Sequence, residues 1–183
     1  MGIIVGITGA TGAIYGVRLL EFLKKLKIET HLVVSQWAVE TLRLETAYTL
    51  NDLEQLVSHV YDNNELGAAI SSGSFKTAGM VIAPCSMKTL ATISCGISGN
   101  LIQRAADVTL KEGRKLILVP RETPLNAIHL ENMLKLSRLG VVMMPPMPAF
   151  YNKPESIDDL INHHVGRILD RLDIEHDFIK RWQ

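Results

Sequence analysis

Five short runs dominated by apolar residues recur along this chain, and each is followed by a turn and then by a segment with helical periodicity. The runs are Ile3 to Ile7, Thr30 to Val34, Met80 to Ala83, Leu116 to Val119 and Val141 to Met144. A strand that is apolar throughout, as Met80 to Ala83 is, reads as one buried on both faces. Helical patterns fill the gaps: Ala13 to Lys25, Trp37 to Leu44, Lys88 to Cys95 and Leu101 to Lys111. Thr123 and Pro124 read as an N-cap with proline at the first helical position, opening a helix that runs to about Arg138 and ends at Gly140. A last helix starts at the capping-box-like Ser156 to Asp159 and keeps Ile157, Leu160, Ile161, Val165, Ile168, Leu169 and Leu172 at helical spacing. The stretch from Asn63 to Thr77 reads as loop. Strands alternating with helices predict an α/β fold, a parallel sheet covered by helices on both faces.

At 183 residues the chain reads as a single domain, 1–183. Its 19 basic and 19 acidic side chains cancel, which argues against nucleic acid or an anionic membrane as partner. No run of apolar residues is long enough to span a bilayer, and the N-terminus reads as a first strand rather than an export signal. Cys85 and Cys95 fit no zinc or redox-motif spacing, so free thiols in a reducing cytoplasm are expected.

In a sheet of this kind ligands sit beyond the carboxyl ends of the strands. The residues to inspect are therefore Thr8 to Thr11, Ser35, Pro84 to Thr89, Arg121 with Glu122, and Pro145 to Tyr151. The turn "GITGATGAIYG" has the strand–turn–helix context of a phosphate loop. Its spacing is neither that of a dinucleotide fingerprint nor that of a Walker A loop, and Ser35 stands where a dinucleotide site wants a carboxylate. That favours a mononucleotide or flavin phosphate over NAD, with a ligand-free tight turn as the other reading. The turn "PCSMKT" offers Ser86, Lys88 and Thr89 beside helix N-terminal donors, or simply an N-cap by Ser86.

Arg104 and Lys111 lie two helical turns apart on one face; they either converge on a phosphate or form a solvated face with Asp107 pairing to Lys111. Arg121 and Glu122 lie at the ligand edge of the sheet. Glu45 and Arg167 say little alone, and Tyr151 is either packing or a ligand contact. Met143, Met144 and Met147 read as core. His129 reads as a helix histidine, and the adjacent His163 and His164 point apart. No His, Asp or Glu cluster has metal spacing, and no nucleophile elbow supports a serine triad.

The chain resembles the UbiX-type flavin prenyltransferases, whose members have often been labelled phenylacrylic or aromatic acid decarboxylase subunits. The resemblance spans almost the whole length. It is carried by "GITGATGAIYGVRLL", "LVVSQWA", "LETAYTL", "SSGSFKTAGMVIAPCSMKTLA", "NLIQRAADVTLKEGRKLILVPRETPL", "HLENMLKLSRLG", "MPPMPAFYNKPES" and the closing "RWQ".

It implies a Rossmann-like (flavodoxin-like) fold, a homododecamer with flavin at subunit contacts, and a metal-independent reaction. Reduced FMN and dimethylallyl phosphate would be joined at flavin N5 and then C6. The product, prenylated FMN, is the cofactor of UbiD-type decarboxylases.

Position by position, the resemblance assigns Gly9, Ala10, Thr11, Ser35, Ser86, Met87, Lys88, Thr89 and Arg121 to the flavin. It assigns Arg104, Lys111, Tyr151 and Arg167 to the dimethylallyl phosphate group. Glu45 and Glu122 match acidic positions that handle protons. Thr11, where many members carry Ser, faces the reactive region, and Trp182 matches an aromatic that covers the site from a C-terminal tail of about 173–183.

Three rival readings remain. A flavin-dependent cysteine decarboxylase of the same fold would carry a histidine in the first helix region and a "PxMNxxMW"-like motif, where this chain has "PPMPAFY". A flavin electron carrier would not need Arg104, Lys111 and Arg167 together. A non-catalytic accessory subunit of a decarboxylase would bind flavin without modifying it.

Overall fold

The structure is a computed structural model and describes residues 1–181. Six parallel strands form one sheet: β1 (Ile3–Ile7), β2 (Thr30–Val34), β3 (His59–Tyr61), β4 (Gly79–Cys85), β5 (Lys115–Pro120) and β6 (Val142–Met143), in the spatial order β3-β2-β1-β4-β5-β6. β1 pairs with β2 from Ile3 opposite Thr30 to Ile7 opposite Val34, and with β4 from Ile3 opposite Gly79 to Gly6 opposite Ile82. The chain therefore reverses its direction of travel across the sheet between β1 and β4, which opens a crevice at their carboxyl ends.

Among the described residues seven α-helices cover the sheet: α1 (Ala13–Lys25), α2 (Gln36–Glu45), α3 (Leu50–Glu54), α4 (Met87–Ser94), α5 (Leu101–Lys111), α6 (Ala127–Arg138) and α7 (Ile157–Arg171). The period of two along each strand sorts the core into two layers. Ile3, Val5 and Ile7 face the same way as Val81, Ala83, Ile117 and Val119 and pack against α1, α2 and α7 through Val17, Leu20, Leu42, Val165 and Ile168. Ile4, Met80, Ile82, Leu116 and Leu118 face the other way and pack against α4, α5 and α6 through Leu90, Ile102, Ala105 and Leu136. α5 and α7 thus lie on opposite faces of the sheet, which bears directly on the site.

All five expected strands are present. A sixth, β3, carries no apolar run: it is three residues at the sheet edge with His59 and Val60 exposed. The expected helix start at Thr123 and Pro124 is corrected. α6 begins at Ala127, because the Asn126 side chain accepts the His129 N–H while the His129 ring accepts the Asn126 N–H. That reciprocal cap satisfies two donors and outcompetes the proline signal. Within the expected loop, Ala69–Ser71 forms a single 3₁₀ turn. Met147, expected in the core, is 73% exposed because it lies in the proline-rich connection after β6 rather than in the strand.

Candidate active site

At the crevice, Thr8 fastens the ends of β1 and β4. Its buried hydroxyl donates to the Pro84 carbonyl at 2.9 Å and accepts the Ser86 N–H at 2.8 Å. Gly9, Ala10 and Thr11 run on from it toward α1. Gly12 takes the left-handed conformation, φ 97°, which suits glycine and lets the chain turn straight into the helix. Gly12 offers no side-chain cap. Glu45, at the end of α2, supplies one instead: its Oε2 accepts the N–H of Gly12 at 2.8 Å and of Ala13 at 3.0 Å. The N-terminus of α1, the expected phosphate loop, is therefore closed by a carboxylate of the same chain.

Two neighbouring helix ends are open. Ser86 caps α4 by accepting the Thr89 N–H, and its hydroxyl donates to Thr89 Oγ1 at 3.1 Å. Ser35 caps α2 by accepting the Ala38 N–H. The N–H groups of Met87 and Lys88, and of Gln36 and Trp37, have no partner among the described residues. Such donors at a helix N-terminus bind anions. The side chains of Lys88 and Arg121 also make no hydrogen bond or ion pair with another described residue. Glu122 is exposed beside them and accepts the Thr123 N–H. The carboxyl edge thus gathers two open helix ends, two unpaired cations and two carboxylates.

The expected phosphate-holding residues lie elsewhere. Arg104 on α5 pairs with Asp107 at 2.8 Å and donates through Nε to the Ser71 carbonyl. Lys111 pairs with Glu112. The expected Asp107–Lys111 pair does not form, because the guanidinium of Arg104 reaches Asp107 one turn away. Lys111 ends α5 shortly before β5 begins, at the amino end of the sheet and remote from the crevice. On the other face, Arg167 pairs with Asp170 at 2.9 Å on α7, and the Tyr151 hydroxyl lies 2.7 Å from His163 Nε2. Burial and the neighbouring Arg167 push the His163 imidazole below its ordinary value, so it is neutral at pH 7. One chain does not bring Arg104 and Lys111 together with Tyr151 and Arg167.

Both cysteines are free; Cys85 is fully buried, which pushes its thiol far up and leaves it inert. Among the described residues no His, Cys, Asp or Glu group is arranged to hold a metal, and no helix is long and apolar enough to cross a membrane.

A sequence model of the Flavoprotein family matches residues 1–169. A probable UbiX-like flavin prenyltransferase of Bacillus subtilis is 57% identical over 180 residues, which cover 98% of this chain and 88% of that protein. This chain belongs to the UbiX-like flavin prenyltransferases. Two solved members superpose closely. A dodecameric FMN-dependent UbiX-like decarboxylase from Escherichia coli O157:H7 gives a TM-score of 0.98 at 57% identity, with 100% of both chains covered. A UbiX protein solved with FMN and dimethylallyl pyrophosphate gives 0.98 at 51% identity, with 99% of this chain and 96% of that chain covered.

In this UbiX-like chain, the sequence places Thr8 among the residues at the ligand edge without giving it a role, and sets His163 aside as a helix histidine pointing away from His164. A threonine directly after a buried strand was the available signal for Thr8. His163 had none, since its partner Tyr151 arrives through an irregular loop. Trp182 lies outside the described residues.

Proposed function

We propose that this protein transfers the dimethylallyl group of dimethylallyl phosphate to reduced FMN, first at N5 and then at C6, yielding prenylated FMN for UbiD-type decarboxylases. The observation that carries this is the carboxyl edge itself: open N-termini of α2 and α4 beside unpaired Lys88 and Arg121, in a UbiX-like fold. The flavin phosphate fits the backbone donors of Met87 and Lys88, with Ser35, Ser86 and Thr89 around them. Gly9, Ala10, Thr11 and Arg121 line the path toward the flavin ring.

FMN supplies the nucleophilic N5, and the C–O bond of the donor breaks with phosphate as leaving group. The protein neutralises that phosphate with Arg104, Lys111 and Arg167 and with a hydrogen bond from Tyr151, in place of a metal. Closure at C6 releases a proton, which Glu45 or Glu122 accepts.

Because the first two cations and the last lie on opposite sheet faces, the complete site forms between copies of the chain. That supports a homo-oligomer, and the dodecamer of the Escherichia coli relative is the assembly proposed here. A covering role for the C-terminal tail, about 173–183, is part of this reading; Trp182, to which that role falls, lies outside the described residues. The balanced charge and free thiols support a cytoplasmic location.

The deciding experiment is mass spectrometry of flavin extracted after anaerobic incubation of the pure protein with reduced FMN and dimethylallyl phosphate. A flavin heavier by one C5H8 unit is expected. Unmodified FMN, with both ligands shown to bind, would overturn the transferase reading. A peptidyl-cysteine decarboxylation assay would then test the alternative of the same fold.

A further inference from the structure

His163, Arg167 and Asp170 form one stripe on α7, at helical spacings of four and three. The carboxylate at its end serves two elements at once. Asp170 Oδ2 accepts from Arg167 Nη1 at 2.9 Å, while Oδ1 accepts from Arg181 Nη2 at 2.9 Å and lies 3.2 Å from His176 Nε2. Arg181 lies eleven residues beyond Asp170, so this contact ties the segment that follows α7 back to the helix.

The segment between is seated rather than draped. The His176 side chain is fully buried, and its Nε2 lies 2.9 Å from the Gly166 carbonyl. Its ring stacks on Phe178, which stacks on Phe22 of α1 at 4.0 Å between centroids. Gly166 is what admits the segment: a Cβ there would stand 2.5 Å from Ile179 Cγ2. Asp170 is only 17% exposed, while Arg167 and Arg181, its two arginine ion-pair partners, are each about half exposed. Burial pushes its carboxyl up, but Arg181, His176 and Arg167 outweigh this and hold it below its ordinary value.

We infer that Asp170 is a positioning residue whose carboxylate clasps both the Arg167 guanidinium and Arg181 of the segment that follows α7, so that the phosphate-holding cation and that segment are set together. Asp170 engages Arg167 through Nη1 alone, which leaves Nε and Nη2 to grip a phosphate in a fixed orientation. The inference rests on the prenyl-transfer reading for the role of Arg167, while the clasp on the tail stands on the contacts alone.

The test uses the full chain carrying Asp170→Asn, Arg181→Gln, or both. Each single variant is expected to raise KM for dimethylallyl phosphate by about tenfold with FMN affinity unchanged, and the double variant to add little to either. Release of the C-terminal residues by carboxypeptidase is expected to accelerate in all three. Asp170→Glu should recover part of both effects.

Unchanged KM, additive effects in the double variant, or unchanged release would overturn the clasp. If Asp170→Asn does not fold, Arg181→Gln and Asp170→Glu carry the same comparison. Absence of prenyl transfer in the wild-type protein would instead sink the functional reading, and the carboxypeptidase rates would still decide the clasp.

Discussion

The crevice between β1 and β4 and the cations of α5 and α7 are built on opposite plans. At the crevice one chain supplies the parts: Thr8 ties the strands, Glu45 closes α1, and the open helix ends of α2 and α4 with Lys88 and Arg121 lie at the same carboxyl edge. The cations of α5 and α7 are each quenched by a carboxylate on their own helix or next to it, and they sit on opposite faces of the sheet. On the proposed function, a monomer can therefore present the flavin phosphate site, whereas the prenyl phosphate site would need residues from more than one copy. The local ion pairs of Arg104, Lys111 and Arg167 are cheap to give up, because such pairs are worth about 0–1 kcal/mol when exposed.

The largest effect expected from this contrast is in mixed assemblies. On the proposed function, Lys111→Ala and Arg167→Ala should each lower kcat/KM by about 100-fold, since each would remove a charge that stabilises the leaving phosphate. Co-assembled in equal amounts, the two inactive chains should regain about a quarter of wild-type activity, because that fraction of shared sites draws both intact residues from different copies. Steady-state rates before and after co-refolding check this. No recovery would place both residues in one chain's site and break the comparison.

The next effect separates the two regions by pH. His164, on α7, is buried against the edge of Tyr15 with its Nε2 unpartnered. Burial, aided by His163 and opposed by the Met144 backbone, pushes its pKa down to about 4 from the ordinary 6.5. Below about pH 6.5 the unfolded chain binds this proton and the folded chain does not, so stability falls with pH until about pH 4 and is flat beyond. The loss over that window amounts to about 3 kcal/mol for this one group. Urea unfolding across the range should show it, and His164→Phe should flatten the acid limb while leaving the crevice unaffected.

The sequence made the crevice legible and left the assembly dark, for physical reasons. Apolar runs announce buried strands, and the turns after them announce the ligand edge. β3 escaped because an exposed edge strand such as His59–Tyr61 has no reason to be apolar. The closure of α1 by Glu45 was invisible, since it depends on where α2 ends in space and not on any spacing within the glycine turn. The grouping of Arg104 and Lys111 with Tyr151 and Arg167 came from resemblance alone. Helical spacing shows that two residues share a face of one helix, but not which face of the sheet that helix covers. Hence spacing offers Asp107 to Lys111 as one reading, while the reach of Arg104 wins it.

A smaller effect sharpens the claim that one chain builds the crevice. Thr8→Val keeps the shape of the side chain but removes both contacts of the hydroxyl, leaving the Ser86 N–H buried without a partner. A loss of about 2 kcal/mol in unfolding free energy is expected. FMN affinity should fall with it, because the starts of α4 and α1 lose their common tether. Equal loss of stability with unchanged FMN affinity would mean that the tether does not set the flavin site.

The smallest effect concerns Ser86, whose hydroxyl is engaged at both ends by Thr89. Ser86→Ala removes the N-cap of α4 and should cost about 1 kcal/mol of stability. It does not touch the Met87 and Lys88 N–H groups of the same turn, which have no partner among the described residues. If those backbone donors carry the flavin phosphate, isothermal titration with FMN should show a change of only about threefold, roughly the weight of one neutral hydrogen bond. A fall of about 100-fold would instead make the hydroxyl itself the principal ligand. The crevice would then depend on a side chain that capping already claims, and it would resemble the cation set of α5 and α7 more than its opposite.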